Sequence, residues 1–310
     1  MATDSEMDGR KVVSMSGGLL RFASLCPRLA FHKARLPRGD VKVAPAGGHV
    51  VNGNLFHGQI VNRILEDLAD VEGAGIRPPN PELKRVVEAS WSDPNDLHTE
   101  LWRIFAQTYM SPALQEFASN LGNNPQEQIE AMSQGIGELA RMCAELIIGA
   151  RELPARTRLF LPPEGVVKES VEINGLQIQI TGNYDGLWFD PVAEEFILFD
   201  FKCKTSAEFP SDLHQLACYA WLLQRRTGRP VRGVLVYVQP EPEIRHLPSK
   251  DLEATFPKSE EFVRYVAELM VTEYEPGMEI RQTSIPILCQ RCPLDERCDE
   301  LYGKRTSHIS

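Results

Sequence analysis

Residues 182–219, GNYDGLWFDPVAEEFILFDFKCKTSAEFPSDLHQLACY, decide how this chain reads. Asp185 stands at the end of one strand-like run. A turn near Asp190-Pro191 follows, and then the apolar strand 196–202. Period-two alternation places Leu198, Asp200 and Lys202 on a single face of that strand. Residues 211–224 then take helical spacing, with Leu213, Leu216, Ala217 and Ala220 on the core face and Gln215 and Tyr219 one turn apart. A charge at the end of FILFDF needs a partner or a metal ion. Two carboxylates and a lysine on neighbouring elements therefore predict a divalent-cation site with a cationic side chain beside it. Hard oxygen ligands select Mg2+ or Mn2+ over zinc. The competing reading makes Asp200 and Lys202 a surface ion pair, an interaction worth little.

The 310 residues are 43% hydrophobic and 25% charged, ordinary values for a globular protein. That length suits one large domain or a domain with an elaborate insertion. No apolar run approaches the roughly 20 residues that cross a bilayer. The polar start, MATDSEMDGRKVVS, does not read as a secretory signal, so the expected location is the cytoplasm, with no membrane partner. A net charge of −10 argues against a basic coat for nucleic acid but leaves room for one basic groove. Two clusters could line it: Arg21, Arg28, Lys33, Arg35, Arg38 and Lys42, and Arg225, Arg226, Arg229 and Arg232. Solvated surface is an equally good reading of each cluster alone.

Seven cysteines without a secretion signal point away from a disulfide framework. Cys143, Cys203 and Cys218 read as small buried apolar residues. Cys289, Cys292 and Cys298 are spaced C-x2-C-x5-C, which implies a metal or cluster in want of a fourth ligand, and Cys26 lies near the other end of the chain. The spacing alone leaves zinc and iron–sulfur both open.

Taken in order, residues 1–15 read as a disordered N-terminus. Two short helical pieces follow, separated at Pro27 with Cys26 at the joint, and then an exposed loop over 36–52. GNLFHGQIVNRILEDL is an amphipathic helix with Val61, Ile64, Leu65 and Leu68 on its stripe. His57 shares that stripe, and a lone histidine there is usually a hydrogen-bonded core residue. These pieces form an N-terminal segment, 16–77. Helices over 81–91, 95–120 and 125–152 make up a helical insertion, 78–152, that carries no chemical motif. Residues 153–280 form the core: a hairpin turning at Asn174-Gly175, the central stretch, a buried valine-rich strand at 231–239 and a helix at 259–275. A cysteine-bearing tail, 281–310, closes the chain. The expected fold is α/β, a mixed central sheet flanked by helices. No GxxxxGK[ST] is present, so the chain should not act as a motor by itself.

Hydrolysis of a phosphodiester needs an activated water, neutralised non-bridging oxygens and a stabilised leaving oxygen, all of which carboxylate-held Mg2+ supplies. Here G-x-x-D (Gly182, Asp185), D-x-K (Asp200, Lys202) and Q-x-x-x-Y (Gln215, Tyr219) follow G-x-x-x-H (Gly53, His57). In that order they resemble the PD-(D/E)XK nucleases of the RecB type. The resemblance implies a restriction-endonuclease-like fold and a metal-dependent DNA nuclease. It makes His57, Asp185 and Asp200 ligands of the catalytic metal, Lys202 the catalytic lysine, and Gln215 and Tyr219 supports for the lysine and the DNA backbone. Cys203 stands where relatives often carry threonine. Cys26, followed by Pro27 and Arg28, together with the C-terminal triplet is similar to the iron–sulfur staple of AddB-type and CRISPR-associated RecB-like nucleases. By that likeness a [4Fe–4S] cluster on Cys26, Cys289, Cys292 and Cys298 ties the two ends together, with Zn2+ the alternative. A belt closed in this way favours threading of single strands or strand ends. The implied partners are DNA and either a separate helicase, in repair or recombination, or a CRISPR integrase. Two rivals remain. A non-catalytic DNA-binding subunit should lack an acid or the lysine, and this chain keeps them all. A structural zinc protein would be colourless.

Overall fold

Runs of bulky apolar residues build the central sheet. The computed structural model describes residues 5–7, 10–35, 54–71, 78, 80–116, 125–151, 159–161, 166–173, 175–204, 206, 209–238, 242–271, 280, 289, 292 and 298. Strands β5 (Gly186–Asp190), β6 (Glu195–Lys202), β7 (Val231–Tyr237) and β8 (Glu243–Leu247) lie side by side in that order. β5 and β6 form the expected hairpin, and its turn is fixed by Asp190 Oδ1, which accepts the Val192 and Ala193 N–H groups. β6 and β7 are parallel, with Asp200 opposite Leu235 and Lys202 opposite Tyr237. A parallel pair needs a crossover, and α8 (Phe209–Thr227) supplies it. Both faces of these strands are covered, which explains their near-continuous apolar runs.

One face, through Ile197, Phe199, Phe201, Val234 and Val236, packs under the helix of the N-terminal segment and those of the region expected to be an insertion. These are α3 (Asn62–Val71), α4 (Pro81–Glu88), α5 (Pro94–Ile104), α6 (Ser111–Glu116) and α7 (Pro125–Gly149). Asn80 caps α4 by accepting the Glu82 and Leu83 N–H groups, and Asp93 caps α5 at Asn95; each cap precedes a proline in the first turn. The helical region is therefore one wall of the main core. Its sequence hid this role because polar residues occupy the outward faces.

The opposite face, through Leu198, Leu235 and Tyr237, packs on α8, α9 (Ser249–Val271) and a second sheet. That sheet has the order β1 (Ser5–Met7), β2 (Arg10–Ser16), β4 (Leu176–Asn183), β3 (Val166–Ile173). β3 and β4 form the predicted hairpin, with Gly175 at φ 76°. β4 passes through Tyr184 and Asp185 into β5, so one stretch of chain serves both sheets and Asp185 sits at the bend. Residues 159–161 lie along β5, with the Leu161 N–H on Leu187 O and the Phe189 N–H on Leu159 O.

Several expectations change. The strands divide between two mixed sheets instead of one. β2, Arg10–Ser16, takes in residues 10–15 of the terminus expected to be disordered and runs parallel to β4 with Ser16 opposite Thr181; a tertiary partner 165 positions on supplies what local propensity did not. The break at Pro27 is as expected, with α1 (Gly17–Leu25), extended Cys26, then α2 (Pro27–Arg35). The helix carrying His57 winds as a π-helix over Asn54–Val61 before α3 begins. α9 opens at Ser249, ten positions earlier than expected, because Pro257 is held inside the helix. The loop 36–52 lies outside the described residues.

Candidate active site

The C-terminal end of β6 carries the predicted acid and lysine, and the bend between β4 and β5 carries the second acid. Asp185 Oδ2 accepts the Phe201 N–H at 2.7 Å, which aims the carboxylate across the end of β6. Asp200 is 7% exposed. The two carboxylates stand within hydrogen-bonding reach, so burial first and then the charge of Asp200 push the Asp185 carboxyl well above its usual range. Asp200 Oδ2 lies 2.6 Å from Lys202 Nζ. Two crowded acids that share one lysine fit an oxygen-liganded cation.

Lys202 is braced from α8. Its Nζ donates to Gln215 Oε1 at 3.1 Å, and Gln215 Nε2 donates to the Tyr219 hydroxyl at 3.0 Å. Burial disfavours the ammonium, but the charges of Asp200, Asp212 and Asp185 outweigh it and hold the Lys202 pKa above its ordinary value. Burial also pushes the Tyr219 phenol up, so it stays neutral. Gly182, the glycine of G-x-x-D, is where the Tyr219 ring lands: a Cβ there would fall 2.4 Å from the ring. The two motifs therefore interlock. Next to Lys202, the Cys203 thiol is held near 12 by burial and then by the charge of Asp185.

α8 begins at Phe209, and Asp212, in its first turn, is a fully buried hub. Lys204 Nζ reaches Oδ1 at 3.1 Å and Oδ2 at 2.9 Å, Arg21 Nε approaches Oδ1 at 3.0 Å, and the Tyr237 hydroxyl donates to Oδ2 at 3.0 Å. Sequence reasoning named Arg21 only as part of a basic cluster and missed Lys204 and Tyr237. The doubled lysine of D-x-K-x-K was the available signal.

His57 falls within the π-helical run, between buried Phe56 and Ile60, and π turns recur at functional sites. Its side chain, like Gly53, lies outside the described residues. Asp185, Asp200, Lys202, Gln215 and Tyr219 do come together. At the other end of α1, Cys26, Cys292 and Cys298 pack on an apolar patch of Leu29, Phe31, Leu269 and Ile280. The Cys292 N–H bonds to Cys289 O at 3.1 Å, and all four thiols are free of disulfides. Arg28 ties the tail down, with Nε on Ile280 O at 2.6 Å and Nη1 on Cys298 Sγ at 3.5 Å. Among the described residues, no three His, Cys, Asp or Glu side chains are grouped to hold a metal ion.

Among the described residues, the basic clusters give no continuous track. Arg21 and Arg28 turn inward as described, and Lys33, Arg35, Arg38 and Lys42 have no described side chains. Arg232 pairs with Glu195 at 2.9 Å and Asp190 at 3.5 Å, while Arg225 and Arg229 stack over Trp221 and Phe189. Among the described residues, no helix is long and apolar enough to cross a membrane.

Mixed sheets flanked by helices, with D-x-K ending a strand whose parallel neighbour is reached through α8, define a restriction-endonuclease-like fold. The chain belongs to the PD-(D/E)XK nuclease superfamily, whose family model matches residues 15–299. Two solved structures are similar in outline at 14% identity. SSO0001 has a TM-score of 0.33, with 78% of this chain and 97% of that chain covered. A protein from Eubacterium rectale named as a candidate exonuclease has a TM-score of 0.30, with 82% and 92% covered. No curated protein matches.

Proposed function

We propose that this chain is a metal-dependent DNA nuclease of the RecB type, acting on single strands or strand ends. One observation carries the reading: Asp185 and Asp200 crowd together beside a lysine that α8 holds in place. Asp185 and Asp200, joined by His57, would hold Mg2+ or Mn2+. Such an ion supplies Lewis acidity beside the phosphate. Lys202 contributes charge and a donor. An ammonium has three N–H groups, and Gln215 and Asp200 engage at most two, leaving one for a phosphate oxygen or the attacking water. Its raised pKa favours this donor role over that of a base. Gln215 fixes the ammonium's direction, and Tyr219 fixes Gln215.

The four cysteines would hold a [4Fe–4S] cluster, with Zn2+ the alternative. The support is that Cys26, Cys292 and Cys298 gather on one patch and that Arg28 clamps the tail to α2. Closing both ends in this way would contribute folding free energy and would favour threading of a free strand. A helicase or a CRISPR integrase would then present that strand, in repair or in defence.

The test is protein purified without oxygen and assayed on end-labelled single- and double-stranded DNA. Mg2+- or Mn2+-dependent shortening is expected, lowered roughly 10³-fold or more in Asp200→Ala, while DNA binding and iron and sulfide content persist. Equal cutting by Asp200→Ala would refute the site. Closed circular single strands cut as fast as linear ones would refute end-dependence, and a colourless, zinc-loaded preparation would refute the iron–sulfur cluster.

A further inference from the structure

We infer that α1, outside every nuclease motif, sets the position of Lys202 through Gly17, a positioning residue. The inference rests on reading Lys202 as the catalytic lysine. Gly17 opens α1 and is buried. A Cβ there would lie 2.1 Å from the Tyr219 hydroxyl oxygen and 2.2 Å from Cε1, distances no packed atoms sustain. The ring also meets Gly182, where a Cβ would lie 2.4 Å from the same Cε1. The phenol is thus packed tightly against both the start of α1 and the end of β4. Those two backbones are themselves tied, since Ser16 pairs with Thr181.

From the packed ring a relay of fixed direction reaches the lysine. The Tyr219 hydroxyl takes the Gln215 Nε2 donor, which turns Oε1 toward Lys202 Nζ. Moving the ring moves the hydroxyl, then the amide, then the ammonium. One turn into α1, Arg21 Nε meets Asp212 at 3.0 Å, which pins the helix to α8 a second time.

Local preference does not explain a glycine at 17. Neither Gly17 nor its neighbour Gly18 has a positive φ, and alanine is the better helix former. Gly18 has room for a Cβ, its nearest neighbour being Ser16 Oγ at 3.9 Å. The adjacent glycines therefore form a matched pair, one against the ring and one in the open.

The experiment compares Gly17→Ala with Gly18→Ala in the full chain. Gly17→Ala should lower kcat about ten- to a hundredfold, with KM for DNA within about twofold, as for a reacting group displaced by a fraction of an ångström. Gly18→Ala should match the wild type. In a Tyr219→Leu background, which removes the hydroxyl and ring atoms that the new Cβ meets, Gly17→Ala should cost nothing further. Wild-type kcat in Gly17→Ala, or its full loss added to that of Tyr219→Leu, overturns the inference. The Gln215 side-chain amide resonances read the relay without substrate and should shift in Gly17→Ala but not in Gly18→Ala. Unshifted amides overturn the inference whether or not the wild type cleaves DNA, whereas shifted amides in a protein without nuclease activity uphold the relay and remove the catalytic reading alone.

Discussion

Two buried polar clusters lie less than one turn apart along α8, built from the same kinds of side chain and left in opposite states. Around Asp212, one carboxylate meets two cations and a hydroxyl, and both of its oxygens are engaged at 2.9–3.1 Å. Around Asp200, two carboxylates share one lysine. The excess shows in Asp185, whose carboxyl is driven toward its protonated form. A satisfied buried network rigidifies a fold, whereas a crowded one stores unfavourable energy until something relieves it. The comparison separates an anchor from a site using chemistry alone, without a motif.

The largest effect should come from breaking the anchor. Asp212→Ala strips Arg21 and Lys204 of their shared partner in a buried setting, and removing one member of such a group costs about 3–5 kcal/mol. Urea melts should show that loss. Asp200→Ala removes one of two repelling acids and should leave the melt unchanged or raise it. If the two variants exchange behaviours, the anchor and the site have been assigned the wrong way round.

A cation should act on one cluster only. Binding to the folded state stabilises by about 2.7 kcal/mol at a hundredfold excess over Kd. Mn2+ should therefore raise the melting temperature of the wild type and leave Asp200→Ala unmoved. The pH dependence follows from the direction of the Asp185 shift. Its folded pKa lies above its unfolded value, so with rising pH the folded state holds a proton that the unfolded chain has released. Metal-free stability should then fall as pH climbs from the ordinary carboxylate range through the raised pKa. Mn2+ replaces that proton, so its stabilisation should grow over the same window. A metal shift independent of pH would mean that the ion binds elsewhere.

Much of the site was legible because its residues repeat at local spacings. Asp200 and Lys202 sit one strand period apart, Gln215 and Tyr219 one helical turn apart, and Asn174-Gly175 reports its own turn. What could not be read was set by partners far along the chain. β2 exists because β4 lies beside it, and Asp212 is a hub because Arg21 arrives from α1 and Tyr237 from β7. The helices of 81–149 form a core wall, but their pattern shows only that one face is apolar, never what that face meets. Gly17 is the sharpest case. Local rules read it as a weak helix start, and only the Tyr219 ring, some two hundred positions later, gives it a purpose.

A variant at His214 removes a confounding slope from the pH profile. His214 lies between Asp212 and Gln215 in sequence but turns toward α9, with Nδ1 3.0 Å from Ser259 Oγ and its ring edge-on to Phe262. Burial, and then the charge of Lys258, lower its pKa to about 4 from 6.5. The folded protein therefore keeps His214 neutral while the unfolded chain takes up a proton below 6.5, and stability drains away as pH falls from 6.5 toward 4. This slope opposes that of Asp185, so the metal-free profile of the wild type is the sum of two limbs of opposite sign. His214→Gln can keep the bond to Ser259 and does not titrate. It should flatten the acid limb and leave the Asp185 limb, and its disappearance in Mn2+, in plain view. An acid limb that survives in His214→Gln would have to come from carboxylates other than the crowded pair.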